Sequence, residues 1–157
     1  MRIGFGYDIH PFATNRPLII GGTKIPFEKG LAGHSDADVM AHAIADALLG
    51  AVGLGDIGQH FPDTDEKYKD YDSMKILQEV ERKVHFEKFK IANIDISIVI
   101  QRPKIAPYKD SMIKNIAANL FLKPDQINIK ATTGEGLGFV GREEGVICYA
   151  IALLKPK

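Results

Sequence analysis

Arg2-Ile3-Gly4-Phe5-Gly6-Tyr7-Asp8-Ile9-His10 opens the chain with a period of two, and its reading decides the fold. Ile3, Phe5, Tyr7 and Ile9 share one face of a strand, while Arg2, Gly4, Gly6, Asp8 and His10 share the other. The alternation predicts that the apolar face is buried in the core and that Asp8 and His10 stand side by side on the opposite face. Gly4 and Gly6, on that second face, leave room for another group to approach the backbone. A short hairpin follows: Leu18-Ile19-Ile20, a Gly21-Gly22 turn, then Lys24-Ile25-Pro26-Phe27.

Beyond the hairpin the period changes to that of a helix. Ser35 with Asp38 three residues on has the form of a capping box, Asp standing in for the usual Glu or Gln. The helix it opens runs through Val39, Ala43, Ala47 and Leu48 and stops near Gly50 to Gly53. Residues 53–72 show neither period and read as a long loop, a feature that is often functional in a small domain. A second helix covers about 73–87, with Leu77, Val80 and Val84 at helical spacing. Ile94, Ile96, Ile98 and Ile100 then alternate as a strand. Pro103 and Pro107 break the chain before a third helix over about 109–122. Residues 127–131 and 144–154 read as two last strands around a glycine-rich segment, 132–141. The final strand is apolar on both faces, so it is central in a covered sheet or part of a subunit interface. This order predicts an α+β fold of two layers, with helices over one sheet.

The 157 residues suffice for one domain with a real core and no need of disulfides. Twenty basic residues balance twenty acidic ones, so no global field draws the chain to nucleic acid or to a membrane. Cys148 is the only cysteine, which excludes an intrachain disulfide and fits a reducing compartment. It lies in an apolar run, 146–154, where a buried and inert thiol is expected; the run is too short to span a bilayer. With no signal or transit pattern at its start, the chain is expected to be cytoplasmic.

Asp8, His10 and His42 carry the sharpest chemical reading. The first two point the same way from a strand, and a third ligand from the following helix closes a three-ligand site with an open fourth position, which suits catalysis. Asp46, one turn beyond His42, is placed to accept a hydrogen bond from its free ring nitrogen. His34 and Ser35 sit where the helix begins, and free N–H groups there suit a phosphate. Asp38 is a rival metal ligand by spacing, but a cap is the better reading. Gly136-Leu137-Gly138-Phe139-Val140-Gly141 matches the dinucleotide pattern by accident, because a strand rather than a helix follows. Thr132-Thr133-Gly134-Glu135 offers hydroxyls and a carboxylate that suit a diphosphate carrying Mg²⁺, although an ordinary tight loop explains it as well. His60 and His85 have no partner at metal spacing.

These blocks also form a pattern. Gly6-Tyr7-Asp8-Ile9-His10, Gly33-His34-Ser35-Asp36-Ala37-Asp38-Val39, Asp46-Ala47-Leu48-Leu49-Gly50, Gly55-Asp56-Ile57-Gly58, Phe61-Pro62-Asp63-Thr64-Asp65, Lys130-Ala131-Thr132-Thr133 and Gly138-Phe139-Val140-Gly141-Arg142 closely resemble the 2-C-methyl-D-erythritol 2,4-cyclodiphosphate synthase family, in order, over nearly the whole chain. The resemblance implies one mixed β-sheet with helices on one face, assembled as a homotrimer with active sites between subunits. It implies conversion of 4-diphosphocytidyl-2-C-methyl-D-erythritol 2-phosphate to the cyclic diphosphate and CMP, in the non-mevalonate route to isoprenoids. It makes Asp8, His10 and His42 ligands of Zn²⁺ and Glu135 a ligand of Mg²⁺ or Mn²⁺. His34 and Thr133 become transition-state stabilisers beside the phosphates, with Ser35 among the substrate-binding residues. Asp56, Gly58, Phe61, Pro62, Asp63, Thr64 and Asp65 would hold the methylerythritol group. Ile100, Lys104, Ile105, Ala106, Ala131, Thr132 and Thr133 would surround the cytidine. Phe139 and Arg142 look like the family pair near the phosphates and the trimer cavity, for which an isoprenoid diphosphate is a candidate ligand. Gly134 and Gly136 depart from the family pattern and should loosen the Glu135 loop; Arg102 is unusual in the nucleotide loop. Two rival readings stand beside this one: a zinc hydrolase, and a trimeric binding protein in which zinc only staples strand to helix.

Overall fold

Strand β1 (Arg2–Ala13) alternates as expected, but with its faces reversed. In the computed structural model, which describes residues 1–157, Ile3 is 71%, Phe5 62%, Tyr7 43% and Ile9 40% exposed. The glycine face is the buried one. A Cβ on Gly4 would lie 1.8 Å from the Ala47 carbonyl oxygen, and one on Gly6 1.9 Å from that of Ala43. The room left by the two glycines is therefore filled by helix α1 (Val39–Val52), whose Ala43, Ala47 and Ala51 bring its backbone against the strand.

The other elements are β2 (Leu18–Ile20), β3 (Thr23–Ile25), β4 (Gly30–Leu31), α2 (Ile57–His60), α3 (Ser73–Phe86), β5 (Phe89–Val99), α4 (Lys109–Leu120), β6 (Ile127–Thr132), α5 (Gly138–Gly141) and β7 (Gly145–Pro156). Five strands form one sheet in the order β4-β1-β7-β5-β6. Only the β5–β6 pair is parallel, so the sheet is mixed. β2 and β3 make the separate hairpin read from the glycine turn. β7 is central, and only one of its apolar faces is covered: Val146, Cys148, Ala150, Ala152 and Leu154 are buried, whereas Tyr149 and Ile151 lie outward beside Phe5 and Tyr7. Burial pushes the Cys148 thiol well above its ordinary range, as expected of an inert core cysteine.

α1 is buried nearly all round, between the sheet and α3, as a helix with apolar residues on every side must be. His42 and Asp46 are its only half-exposed positions. Its cap is Asp38, not Ser35, and there is no capping box. The Asp38 side chain is fully buried and accepts four backbone N–H bonds, from Gly21 (2.9 Å), Gly22 (2.7 Å), Met40 and Ala41 (both 3.1 Å). It thereby ties the hairpin turn to the start of α1. Asp38→Ala leaves four backbone donors, three of them buried, without that acceptor and should lower unfolding stability by about 3–5 kcal/mol, read by urea denaturation. Burial, with repulsion from Asp36, pushes the Asp38 carboxyl up to about 6. A folded value raised above the unfolded one gives a contribution that is full below the ordinary 3.8 and is lost as pH rises through 6. Asp38→Asn should remove that slope from the stability profile.

Residues 53–72 are not a bare loop. Gly53 caps α1 with φ +76°, as the glycine stop predicted. The acidic residues beyond it are local caps: Asp56 accepts from Gln59 N in α2, and Asp65 from Lys67 N in a single 3-10 turn, Glu66–Tyr68. Asp72 then caps α3. No helix is long and apolar enough to cross a membrane.

Candidate active site

The reversed faces put Asp8 and His10 against α1 rather than toward open solvent, and this brings His42 to them. His10 Nε2 lies 2.9 Å and His42 Nδ1 3.2 Å from Asp8 Oδ2, and the two imidazole nitrogens are 3.2 Å apart. All three ligand atoms fall within 4.8 Å of one another, and no other such group occurs in the chain. The far nitrogen of His10 donates to the Ala32 carbonyl at 2.7 Å, which leaves Nε2 with its lone pair facing the cluster. The far nitrogen of His42 meets Ser73 Oγ at 2.9 Å and Ser35 Oγ at 3.1 Å. Asp46 plays no part there: its Oδ1 accepts from Ile57 N at 2.7 Å and pins α2 to α1.

Burial raises the proton affinity of the Asp8 carboxyl, but hydrogen bonds from the His10 and His42 rings, which His10 can give from Nε2 only when it is protonated, outweigh it and hold the group below its usual range. Burial works the other way on His10, and the contact with Asp8 outweighs it, so His10 titrates above its ordinary value. One carboxylate oxygen and two imidazole nitrogens, with both outer nitrogens already engaged, match the donor set of a divalent zinc site in type and in outer hydrogen bonding. These residues fit the ion that the sequence implied.

His10 and His42 of the cluster line a cavity of about 400 Å³ together with Gly33, His34, Ser35, Ile57, Gly58, Phe61, Pro62, Asp63, Tyr68 and Ile76. His34 Nε2 contacts the Asp65 carbonyl at 3.0 Å. Thr64 and Asp56 are not part of this lining. The expected phosphate seat at the start of α1 is closed, because Asp38 already takes the Met40 and Ala41 N–H groups.

A second cavity of about 180 Å³ lies between Ile100, Gln101, Pro103, Lys104, Ile105, Ala106, Lys109, Ala131, Thr132 and Thr133. It shares no residue with the first. β1 and β5 both run antiparallel to β7, and β6 runs with β5, so both cavities open at the same end of the sheet. β1 and β6 are nevertheless three strand spacings apart, about 14 Å at 4.8 Å per spacing. One chain thus presents two separate cavities and does not join them. A larger hollow of about 510 Å³, between Leu54, His60 and the end of α3, lies away from both.

The Glu135 loop leaves the second cavity. Glu135 N donates to Thr133 Oγ1 at 3.1 Å, and Gly136 N to Gln101 Oε1 at 3.3 Å. The expected loosening at Gly134 is absent: a Cβ there would lie 2.9 Å from Gly141 N, so the small residue permits a tight fold-back of 134–141. Phe139 lines a hollow of about 330 Å³ with Ile9, His10, Pro11, Glu144 and Gly145, and Arg142 is paired with Glu144 at 2.8 Å. Arg102 makes a bidentate pair with Glu143 (2.6 and 2.9 Å) and reaches Glu28 at 3.3 Å. Ser73, Tyr68 and the Ala32 carbonyl were missed from the sequence. Ser73 read only as a helix start, and nothing in its spacing connects it to His42.

Comparison with known proteins gives a consistent result. The model of the YgbB family matches residues 1–155. The 2-C-methyl-D-erythritol 2,4-cyclodiphosphate synthase of Clostridium perfringens is 59% identical over 154 residues, which cover 98% of this chain and 99% of that one. The structure of the bifunctional IspDF from Campylobacter jejuni superposes with a TM-score of 0.96 at 47% identity, covering 99% of this chain and 42% of that longer one. The Plasmodium falciparum IspF–CDP complex gives 0.88 at 36%, covering 99% and 96%.

Proposed function

The chain belongs to the YgbB family, that of the 2-C-methyl-D-erythritol 2,4-cyclodiphosphate synthases, and we propose that it performs their reaction at a site built from the two half-sites of neighbouring subunits. The observation that carries this reading is the convergence of Asp8, His10 and His42 on one point, beside a cavity that the two histidines line together with His34 and Ser35. The substrate is 4-diphosphocytidyl-2-C-methyl-D-erythritol 2-phosphate, and the products are the 2,4-cyclodiphosphate and CMP.

The nucleophile is the substrate's own 2-phosphate, an anion at neutral pH, so the protein needs no strong general base. It attacks the β-phosphorus and CMP leaves. The difficulty is to bring anionic groups into line. Asp8, His10 and His42 would hold Zn²⁺, and Glu135 a Mg²⁺ or Mn²⁺; bound there, such ions supply charge neutralisation and fixed phosphate geometry. His34 and Thr133 stand beside the phosphates and stabilise the transition state. Gly58, Phe61, Pro62 and Asp63 wall in the methylerythritol group, with Asp56, Thr64 and Asp65 on the same segment, and so exclude water and hold one conformer. Holding the reacting ends together contributes up to roughly 7–11 kcal/mol in the best-oriented intramolecular cases. Ile100, Lys104, Ile105 and Ala106 take the cytidine, with Ala131 and Thr132 behind it.

Two observations support a homotrimer. The two cavities of one chain share no lining residue, so a single subunit does not join them. The outer sheet face leaves Ile3, Phe5, Tyr7, Tyr149 and Ile151 exposed together, a patch that association would cover. Phe139 and Arg142 sit at the rim of that face, where a central cavity would accept an isoprenoid diphosphate. Phosphorus NMR of the reaction tests the proposal: CMP and the cyclic diphosphate are expected, whereas free inorganic phosphate would select a zinc hydrolase. In the same assay Glu135→Gln should shift the magnesium titration to higher concentration, and an unchanged titration would count against its role.

A further inference from the structure

We propose that Ser73 and Asp36 are positioning residues for His42, forming a relay that fixes which of its ring nitrogens is free to bind metal. This rests on the reading of Asp8, His10 and His42 as metal ligands. A neutral imidazole carries one proton, so Nδ1 of His42 can face Asp8 and His10 with a lone pair only if Nε2 holds the proton. For His10 the matter is settled by a backbone carbonyl, which can only accept. For His42 the neighbours are two hydroxyls, Ser73 at 2.9 Å and Ser35 at 3.1 Å, and a hydroxyl can donate as readily as accept. Hydroxyls alone therefore leave the tautomer open, and the Asp8 carboxylate, 3.2 Å from Nδ1, draws the proton of the metal-free ring toward the wrong nitrogen.

Asp36 resolves it. The Ser73 hydroxyl makes a short hydrogen bond to Asp36 Oδ1. An ionised carboxylate only accepts, so the Ser73 proton is committed to Asp36 and the oxygen turns its lone pair to His42 Nε2–H. Asp36 is itself held by Ser73 N at 2.9 Å and by Asp38 N at 3.1 Å. Ser73 is fully buried at the first turn of α3, so no water competes for its hydroxyl. If Asp36 could donate instead, Ser73 would be free to donate to Nε2, and the proton would move to the nitrogen that faces the metal.

The test is the zinc dissociation constant of the metal-free protein, read by competition with a zinc-binding dye, together with the His42 tautomer from ¹⁵N NMR of the ring. Ser73→Ala should weaken zinc binding by about 10–100-fold. Asp36→Asn should weaken it as well and shift the metal-free tautomer away from Nε2–H, because its amide can donate to Ser73. Ser73→Thr, which keeps the hydroxyl, should restore binding to within about threefold. A role confined to packing would lower unfolding stability and leave the tautomer alone. Zinc affinities of Ser73→Ala and Asp36→Asn within about threefold of the parent, or an unchanged tautomer in Asp36→Asn, overturn the relay. A parent protein that binds no zinc discards the metal site itself.

Discussion

Gly6→Val should yield no folded protein, and Gly6→Ala should lose at least about 3 kcal/mol of unfolding stability. Overpacking usually costs 1–3 kcal/mol because side chains can rotate away. Here the added carbon meets backbone on the far side: Ala43 O at 1.9 Å, Ala47 N at 2.7 Å and Ala43 C at 2.9 Å. Relief requires the whole of α1 to move off the sheet, and its buried side chains would move with it. A domain with 5–15 kcal/mol in hand tolerates the alanine barely and the valine not at all. Gly4→Ala, at 1.8 Å from Ala47 O, should behave alike. Gly50→Ala is the control: nothing lies within 4 Å of its Cβ, and it should stabilise α1 by about 0.5–1 kcal/mol. Urea denaturation of the four variants measures the differences. In any folded Gly6→Ala protein His42 should also be displaced from Asp8, so zinc affinity should fall with stability.

The same contact explains what the sequence could and could not say. Period two in residues 2–10 tells which side chains share a face and nothing about which face points inward. The large side chains suggested the core, yet two glycines opposite Ala43, Ala47 and Ala51 were the real sign of a helix packed backbone to backbone. The apolar alternation was a sign of the outer face, and β7, apolar on both sides, repeats it. Capping failed in a similar way. Ser35 fitted a local pattern, but Asp38 serves a turn 16 and 17 residues earlier, and no local window contains that partner. In the site, strand periodicity made the Asp8–His10 pair legible, while His42 reaches them only through the packing of α1 on the glycine face of β1. Ser73 was not legible, since only the packing of α3 on α1 carries it to His42. The residues expected around the cytidine came from family resemblance, because backbone-lined pockets leave little trace in residue type.

Asp8→Ala and His42→Ala should each give folded protein that has lost zinc and turnover together. Either change reduces three ligands to two and leaves the phosphate oxygens without the charge that opposes their repulsion. Metal-derived charge stabilisation is worth several kcal/mol in such transfers, and each 1.36 kcal/mol is tenfold, so turnover should fall at least about 10³-fold. The fold should survive, because none of the three side chains belongs to the buried apolar cluster. Acidification of the parent should reproduce the loss in stages. Protonated His10 cannot ligate, and Asp8 raises the proton affinity of the metal-free ring, so zinc affinity should weaken progressively as pH falls. Metal analysis and the rate of CMP release, measured on the same preparations across pH 5–8, give both quantities. Full zinc occupancy in both variants would falsify the ligand assignment. A parent that melts when zinc is chelated, and that releases no CMP when zinc is present, would make the ion a staple between β1 and α1 and leave the chemistry elsewhere.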